Sequence, residues 1–287
     1  RHFFSIHTLT SARFCSVPLP SPGQTQPYPS PTKSTTIANT MPTHSTPTNP
    51  LASTQVNNQP FYYRANSTDS VILRQIFADK NYHLGHLPHH HNQLQQIYQG
   101  LVQQGKTPLI IDLGAHIGAA SVYWANAYPQ AQVIAVEPSA DNLTLLRRNT
   151  GHYPAIHIHA AAIGPMPHVT LTDPGLGPWA YRTQPLASPG VDAEVATAVP
   201  TTTLAALRAQ HPGTPFILKV DIEGAEADLF HNPSPCLAEF ALIVVELHDW
   251  LYPGQQLSQP FLAWHAQHPE RDFLLHGQHI FSVHLPA

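Results

Sequence analysis

"LIIDLGAHIGAASVYWANAYPQAQVIAVEP", from Leu109 to Pro138, runs as an apolar segment, a glycine-broken turn, a helix-like stretch and a second apolar segment that ends on an acid. Asp112 closes the first apolar segment, Gly114 follows two positions on, and Gly118 opens the helix. Glycine at such points allows tight turning and close approach of a ligand to the backbone. A turn built for a nicotinamide dinucleotide carries G-x-G-x-x-G, with its middle glycine against the pyrophosphate. Here the middle position is His116, so the pattern is D-x-G-x-x-x-G and a pyrophosphate would meet a side chain. Nor does this turn follow the G-x-x-x-x-G-K-[ST] pattern of a nucleotide phosphate loop.

The two acids point to a different ligand. Asp112, at the carboxyl end of the first strand, suits a cationic amino group better than a phosphate. Glu137, at the end of the second, stands where an acid grips the two ribose hydroxyls of an adenosine. A ligand with a ribose, a positive centre and no phosphate is S-adenosylmethionine. Helix capping accounts for either acid alone, but not for the ordered set of strand, Asp, two glycines, helix, strand and Glu-Pro.

Outward from this unit, short apolar segments alternate with helix-like ones. The apolar segments are 108–113, 132–137, 155–160, 216–221 and 242–247, and helices are expected over 119–128, 140–149, 202–210 and 224–230. Continuous Val/Ile/Leu segments separated by helices predict a mostly parallel α/β sheet covered on both faces. The C-terminal "DFLLHGQHIFSVHLPA" predicts a hairpin that closes the sheet. The Gly- and Pro-broken stretch 164–200 reads as an irregular excursion over one edge. Ahead of the sheet, "DSVILRQIFADKNY" and "HNQLQQIYQGLVQQGK" predict a helical lead-in over 61–107, with the core at 108–287. Residues 1–60 are rich in Pro, Ser and Thr and lack any acid. They read as a disordered leader or an acid-free organelle transit peptide, or, for residues 1–40, as a fragment or sequence upstream of a start at Met41.

The blocks "IDLGAHIGAASVYWA", "VIAVEPSADNLTLLRRN", "HAAAIG", "FILKVDIEGAEADLF" and "VVELH" resemble the FkbM family of methyltransferases, from Phe61 to the C-terminus. "LKVDIEGAE" is the most specific of them. The resemblance implies a class I, Rossmann-like methyltransferase domain over 61–287. Its sheet would be seven-stranded and mostly parallel, with helices on both faces and an antiparallel C-terminal hairpin strand. It further implies S-adenosylmethionine as methyl donor and hydroxyl oxygens of sugars or natural products as acceptors. By the same likeness Asp112, Gly114, Ala115, His116, Gly118 and Glu137 line the cofactor site, with Ala161 or Ala162 flanking the adenine. His116 departs from the small or amide-bearing residue usual at its position.

The fourth and fifth apolar segments end in "LKVDIEGAE" and "VVELHDW". Residues two apart on a strand share a face, which pairs Lys219 with Asp221 and Glu246 with His248. If the two strands are neighbours, four ionisable groups gather at one rim beside the cofactor. Burying them there is costly unless they pair or act. Methyl transfer from a sulfonium chiefly needs alignment of acceptor and methyl, and a hydroxyl acceptor also needs a base for its proton. His248 is a candidate base, its ordinary pKa of about 6.5 suiting neutral pH. Asp221 and Glu246 are the alternatives, or with His248 they hold a divalent metal that polarises the hydroxyl. A purely structural account makes Asp221 a helix cap and Lys219–Glu246 a buried ion pair, while Gly224 lets the next helix begin close to the ligand.

Composition narrows the rest. A net charge of −4 with only 10% charged residues leaves no basic footprint for nucleic acid. No apolar stretch approaches the roughly 18 residues needed to cross a bilayer, so a cytoplasmic protein is expected, or an organellar one if the leader is a transit peptide. Cys15 and Cys236 stand too far apart for a ligand cluster or a disulfide framework. "HLGHLPHHH" (His83–His91) could bind metal, and "PWAY" (Pro178–Tyr181) could cover the acceptor. The leading reading is an O-methyltransferase for a small-molecule or glycan hydroxyl. The alternative is a catalytically silent S-adenosylmethionine-binding module with a partner-binding role, and an NAD-dependent oxidoreductase would require the missing middle glycine. Neither the acceptor nor the oligomeric state is written in the sequence.

Overall fold

All six residues of Pro108–Leu113 are buried, as a strand covered on both faces requires. The computed structural model that shows this describes residues 50–172, 182–185 and 197–284. The chain opens with a hairpin of β1 (Leu51–Val56) and β2 (Gln59–Arg64). Asn57 and Asn58 turn it with φ of 50° and 61°, a left-handed pair that a two-residue hairpin demands and Asn tolerates. The lead-in continues as α1 (Asp69–Leu73), a wider π turn over Arg74–Ala78, and α2 (Pro88–Gln103).

The central unit is β3 (Pro108–Leu113), α3 (Ala119–Ala127), β4 (Gln132–Val136), α4 (Ala140–Thr150) and β5 (Ile156–His159). Ser139 caps α4 by accepting the Asn142 N–H. Then come β6 (Ala162–Ile163), β7 (His168–Thr172), β8 (Arg182–Pro185), β9 (Thr197–Thr202) and α5 (Leu204–Gln210). The chain continues through β10 (Thr214–Val220), α6 (Glu226–His231), β11 (Leu242–Glu246) and α7 (Gln259–Ala266), and ends in the hairpin β12 (Arg271–His276) and β13 (His279–His284).

Seven strands form the main sheet in the order β12-β13-β11-β10-β3-β4-β5. From β5 to β11 every neighbour is parallel, and β13 alone runs against both β11 and β12. This is the class I methyltransferase sheet that the sequence resemblance implied. Alternate strand residues feed two cores: Ile110, Ile217 and Val244 meet Trp124 and Phe61 on one face. Leu109, Ile111, Leu218 and Ile243 meet Leu207, Phe230 and Phe261 on the other. Strand order reverses at β3, because the chain moves to β4 and β5 on one side and returns to β10 and β11 on the other. A crevice therefore opens beyond the carboxyl ends of β3 and β10.

Two expectations change. The stretch 164–200 is not simply irregular: β7, β8 and β9 join β6 in a second sheet, ordered β6-β9-β7-β8. Its strands bury Ala162, Val169, Leu171 and Val199 in a small core of their own. Pro178–Tyr181 lies outside the described residues. In addition, β1 precedes the anticipated start at Phe61, and the unit that holds both sheets runs from Asn49. Among the described residues no helix is long and apolar enough to cross a membrane.

Candidate active site

A cavity of about 280 Å³ opens beyond the carboxyl ends of β3, β4, β10 and β11. Half of it lies against the β3–α3 turn, which is left-handed at Gly114, His116 and Gly118 (φ 79°, 51° and 92°). Gly114 and Ala115 both donate to the Val136 carbonyl, at 3.0 and 2.9 Å, and so fasten the turn to β4. A Cβ on Gly114 would overlap the Asp221 carbonyl oxygen, and one on Gly118 would press against Leu146 of α4 at 2.8 Å. These glycines therefore serve packing as well as ligand approach.

Glu137 faces this half and is 5% exposed. Its Oε2 accepts the His116 N–H at 2.9 Å, and its Oε1 accepts the Ser139 N–H at 2.9 Å and Asn142 Nδ2 at 3.2 Å. Burial pushes its pKa up, against the pull of those three hydrogen bonds. Asn142 in turn accepts from Arg64 Nη2 at 2.8 Å, while Arg64 also donates to Asp69 and sits 3.1 Å from His116 Nε2. Arginine can only donate, so His116 Nε2 accepts and Nδ1 carries the proton. Burial pushes the His116 pKa down to about 4, with Asp69 opposing and Arg64 reinforcing the shift. The ring is neutral.

Lys219 divides the two halves. Its Nζ lies 3.1 Å from Asp112 Oδ1 and 3.3 Å from Asp221 Oδ2, and it donates to the Gly114 carbonyl at 2.9 Å. Burial alone would lower its pKa, but the Asp112 and Asp221 carboxylates hold it well above the ordinary lysine value. Asp112 is wholly buried and also accepts the Ser121 hydroxyl at 2.6 Å.

The other half is crowded with carboxylates. His248 is 1% exposed, with Nδ1 3.0 Å from Glu226 Oε1. Its Nε2 faces Glu223 Oε2 at 3.4 Å, Asp221 Oδ1 at 3.7 Å and Glu246 Oε1 at 3.8 Å. Burial would lower the His248 pKa, yet Glu226, Asp221 and Glu223 lift it to about 10. Burial, and next the Asp221 charge, push Glu223 and Glu246 up to about 8. Burial acts in the same direction on Asp221, but Lys219 holds its carboxyl below the ordinary range. Glu226 also accepts the Ile222 and Gly224 N–H groups, both at 2.8 Å, which closes the loop between β10 and α6.

Of the residues expected at the cofactor, Gly114, Ala115, His116, Glu137, Ala161 and Ala162 line the cavity; at the rim, so do Lys219, Asp221 and Glu246. Asp112, Gly118 and His248 do not. Asp112 is turned to the chain's own Lys219 rather than to a ligand, Gly118 faces α4, and His248 is enclosed by acids. Lys219 pairs with Asp112 and Asp221, not with Glu246. Gly224 makes room for Tyr252, whose ring a Cβ would meet at 2.6 Å. Sequence reasoning missed Arg64, Tyr82, Asn142, Glu223, Glu226 and His279. Only the acids left a local trace, in the spacing of "EGAE".

The cavity suits a phosphate-free adenosine with a positive sulfur. Alanines at 115, 119, 120, 161 and 162 leave room for flat groups, and the Glu137 carboxylate has acceptor capacity beyond its three hydrogen bonds. Among the described lining residues Lys219 is the one with a permanent positive charge, and two carboxylates already surround it, so a phosphate finds no counter-charge. The string G-x-x-x-x-G-K-T does occur at Gly100–Thr107, but it spans the C-terminal end of α2 and leads into β3. A phosphate loop needs the reverse order, with helix N-terminal N–H groups toward the anion. The histidine tract spreads out: His86 packs on His276 at 4.2 Å, and His90 Nε2 reaches Asp272 at 2.8 Å. The group whose ligand atoms do converge, all within 4.8 Å, is Asp221, Glu223 and His248.

Residues 112–278 match the model of the methyltransferase FkbM domain. The methyltransferase sdnD of Sordaria araneosa is 32% identical over 89 residues, which cover 31% of this chain and 28% of that protein. Similar solved structures include a precorrin-6y C5,15-methyltransferase of Geobacter metallireducens, at 11% identity and TM-score 0.34 over 62% of this chain and 79% of that one. Another is the SAH-bound methyltransferase PaMTH1 of Podospora anserina, at 12% identity and TM-score 0.36 over 76% and 86%.

Proposed function

The chain belongs to the FkbM methyltransferase family and uses S-adenosylmethionine, and from that premise we propose that it methylates a hydroxyl oxygen on a sugar or small natural product. When bound, the cofactor supplies a methyl group on a sulfonium, ready for in-line displacement. Glu137 accepts the ribose hydroxyls, and the β3–α3 turn carries the methionine end toward the rim. The acceptor enters on the β10–β11 side, and its oxygen gives up its proton to Glu246. The observation that carries this reading is the Glu246 carboxylate facing the same cavity as Glu137, at the carboxyl end of the neighbouring strand pair. In this reading His248 is not the base, since it does not line the cavity and both ring nitrogens face carboxylates.

The test is S-adenosylhomocysteine release with a panel of hydroxylated sugars and small aromatic or polyketide alcohols. Glu246→Gln should lower kcat by about 10²-fold or more, the usual worth of a positioned base, while leaving S-adenosylmethionine affinity within about twofold. If Glu246→Gln turns over normally, the base assignment fails. If the cofactor binds but no hydroxyl is methylated, the chain is a silent binding module.

A further inference from the structure

We propose that Asp221, Glu223 and His248 form a divalent-cation site that opens onto the acceptor half of the cavity. What the ion does there rests on the O-methylation reading; where it sits does not.

Three observations converge. First, Glu226 Oε1 engages His248 Nδ1 at 3.0 Å, so a fixed ring presents Nε2 to the acids. A carboxylate behind a histidine is how proteins orient a metal-ligating imidazole. Second, Nε2 stands 3.4 Å from Glu223 Oε2 and 3.7 Å from Asp221 Oδ1. Two ligands bound to one ion at about 2.0–2.2 Å lie roughly 3.0–3.5 Å apart, close to these spacings and beyond a good hydrogen bond. Third, one of these ligand atoms lacks a hydrogen bond. Glu223 Oε2 is buried with no hydrogen-bond partner, and His248, 1% exposed, makes its hydrogen bond through Nδ1. Such groups are rarely left unmatched in a buried site.

Charge supports the same assignment. Four carboxylates, from Asp221, Glu223, Glu226 and Glu246, face one imidazole, and the nearest cation, Lys219, is shared between Asp112 and Asp221. A mixed set of carboxylate and imidazole ligands suits Mn²⁺ or a similar divalent ion. Asp221 and Glu223 both line the cavity, so open positions on the ion point toward an acceptor oxygen. An acceptor hydroxyl held there becomes more acidic, and its proton passes to Glu246, 3.8 Å from His248.

The experiment titrates the full chain with Mn²⁺ alone and follows the free-ion signal by electron paramagnetic resonance. One ion per chain is expected. Glu223→Gln and His248→Gln should abolish binding, and Glu226→Gln, which frees the ring, should weaken it about 10–100-fold. Asp79→Asn, a surface acid paired with Arg74, should bind as the parent does. Calorimetry with S-adenosylmethionine on each variant reports that the fold and the cofactor half persist. Failure of the parent to take up Mn²⁺, or equal uptake by all variants through the surface histidines, overturns the site. Mn²⁺ uptake is read without acceptor or methyl donor, so absence of methyl transfer would sink the O-methylation reading and leave this result untouched.

Discussion

On the side of the cavity made by β3 and β4, Glu137 receives three hydrogen bonds, and the residue that supplies one of them, Asn142, is itself held by Arg64. On the side made by β10 and β11, Glu223 keeps a buried oxygen with no partner, and three acids press on His248 at distances too long for good hydrogen bonds. One wall has its carboxylate satisfied by hydrogen bonds from within the chain, and the other crowds its carboxylates onto one imidazole at longer range. The difference separates a pre-formed wall from one whose charges still answer to what enters the cavity. A satisfied carboxylate changes little when a neutral ribose arrives, whereas a crowd of acids is relieved only by a proton, a cation or a polarised hydroxyl.

Removing the divider between the walls should have the largest effect. Asp112→Ala leaves the Lys219 ammonium buried with Asp221 as its remaining carboxylate, and the Ser121 hydroxyl without its acceptor. Breaking such a buried pair costs about 3–5 kcal/mol, read as unfolding free energy in urea. A loss under about 1 kcal/mol would mean that the pair does not hold the two walls apart. A smaller effect is expected from Arg64→Lys, which keeps a cation for the buried Asp69 but cannot fork to both His116 and Asn142 behind Glu137. The dissociation constant for S-adenosylmethionine should rise about tenfold, the equivalent of about 1.4 kcal/mol, with kcat at saturating cofactor retained. Equal loss of kcat would show that the finished wall also shapes the reacting wall.

The smallest effect concerns acid. The His116 pKa is pushed down to about 4 in the fold, so between about pH 6.5 and 4 the unfolded chain binds a proton that the folded ring refuses. The His116 contribution to stability is therefore full above that window and falls as pH drops through it. His116→Asn, which does not titrate and tolerates a left-handed backbone, should make the fall shallower. It should not abolish it, because burial also pushes His279 down to about 4. Urea midpoints across the window check this, and an unchanged slope would remove His116 from the account.

Much of the fold was legible because its signals are local. The buried runs of β3, β4, β10 and β11, and the turn from Asp112 to Gly118, announce a parallel sheet with a ligand crevice in fewer than ten residues each. The second sheet was not legible, because the strands of Val169 and Val199 hold few apolar residues and are set among glycines and prolines. In the site, Glu137, Asp221 and Glu246 stand at strand ends, which sequence periodicity can locate. Asp112 shares that position, yet which way its carboxylate turns depends on Lys219, 107 positions away and its direct neighbour in the β3–β10 register. Arg64, which backs Glu137 through Asn142 and His116, and His279, which lines the cavity, have no local signature at all, since they come from hairpins at opposite ends of the described chain.

The hairpin β1–β2 has one more implication. Asn149 grips Tyr62 from both sides, accepting its N–H at 2.7 Å and donating to its carbonyl at 2.9 Å, and it also donates to the Ile117 carbonyl at 2.8 Å. A segment outside the family match at 112–278 is thereby clamped onto the β3–α3 turn. Exchange of the matched stretch between relatives would part Asn149 and Ile117 from Tyr62, whereas mutation at Tyr62 or its hairpin offers evolution a dial on that turn that never touches the main sheet.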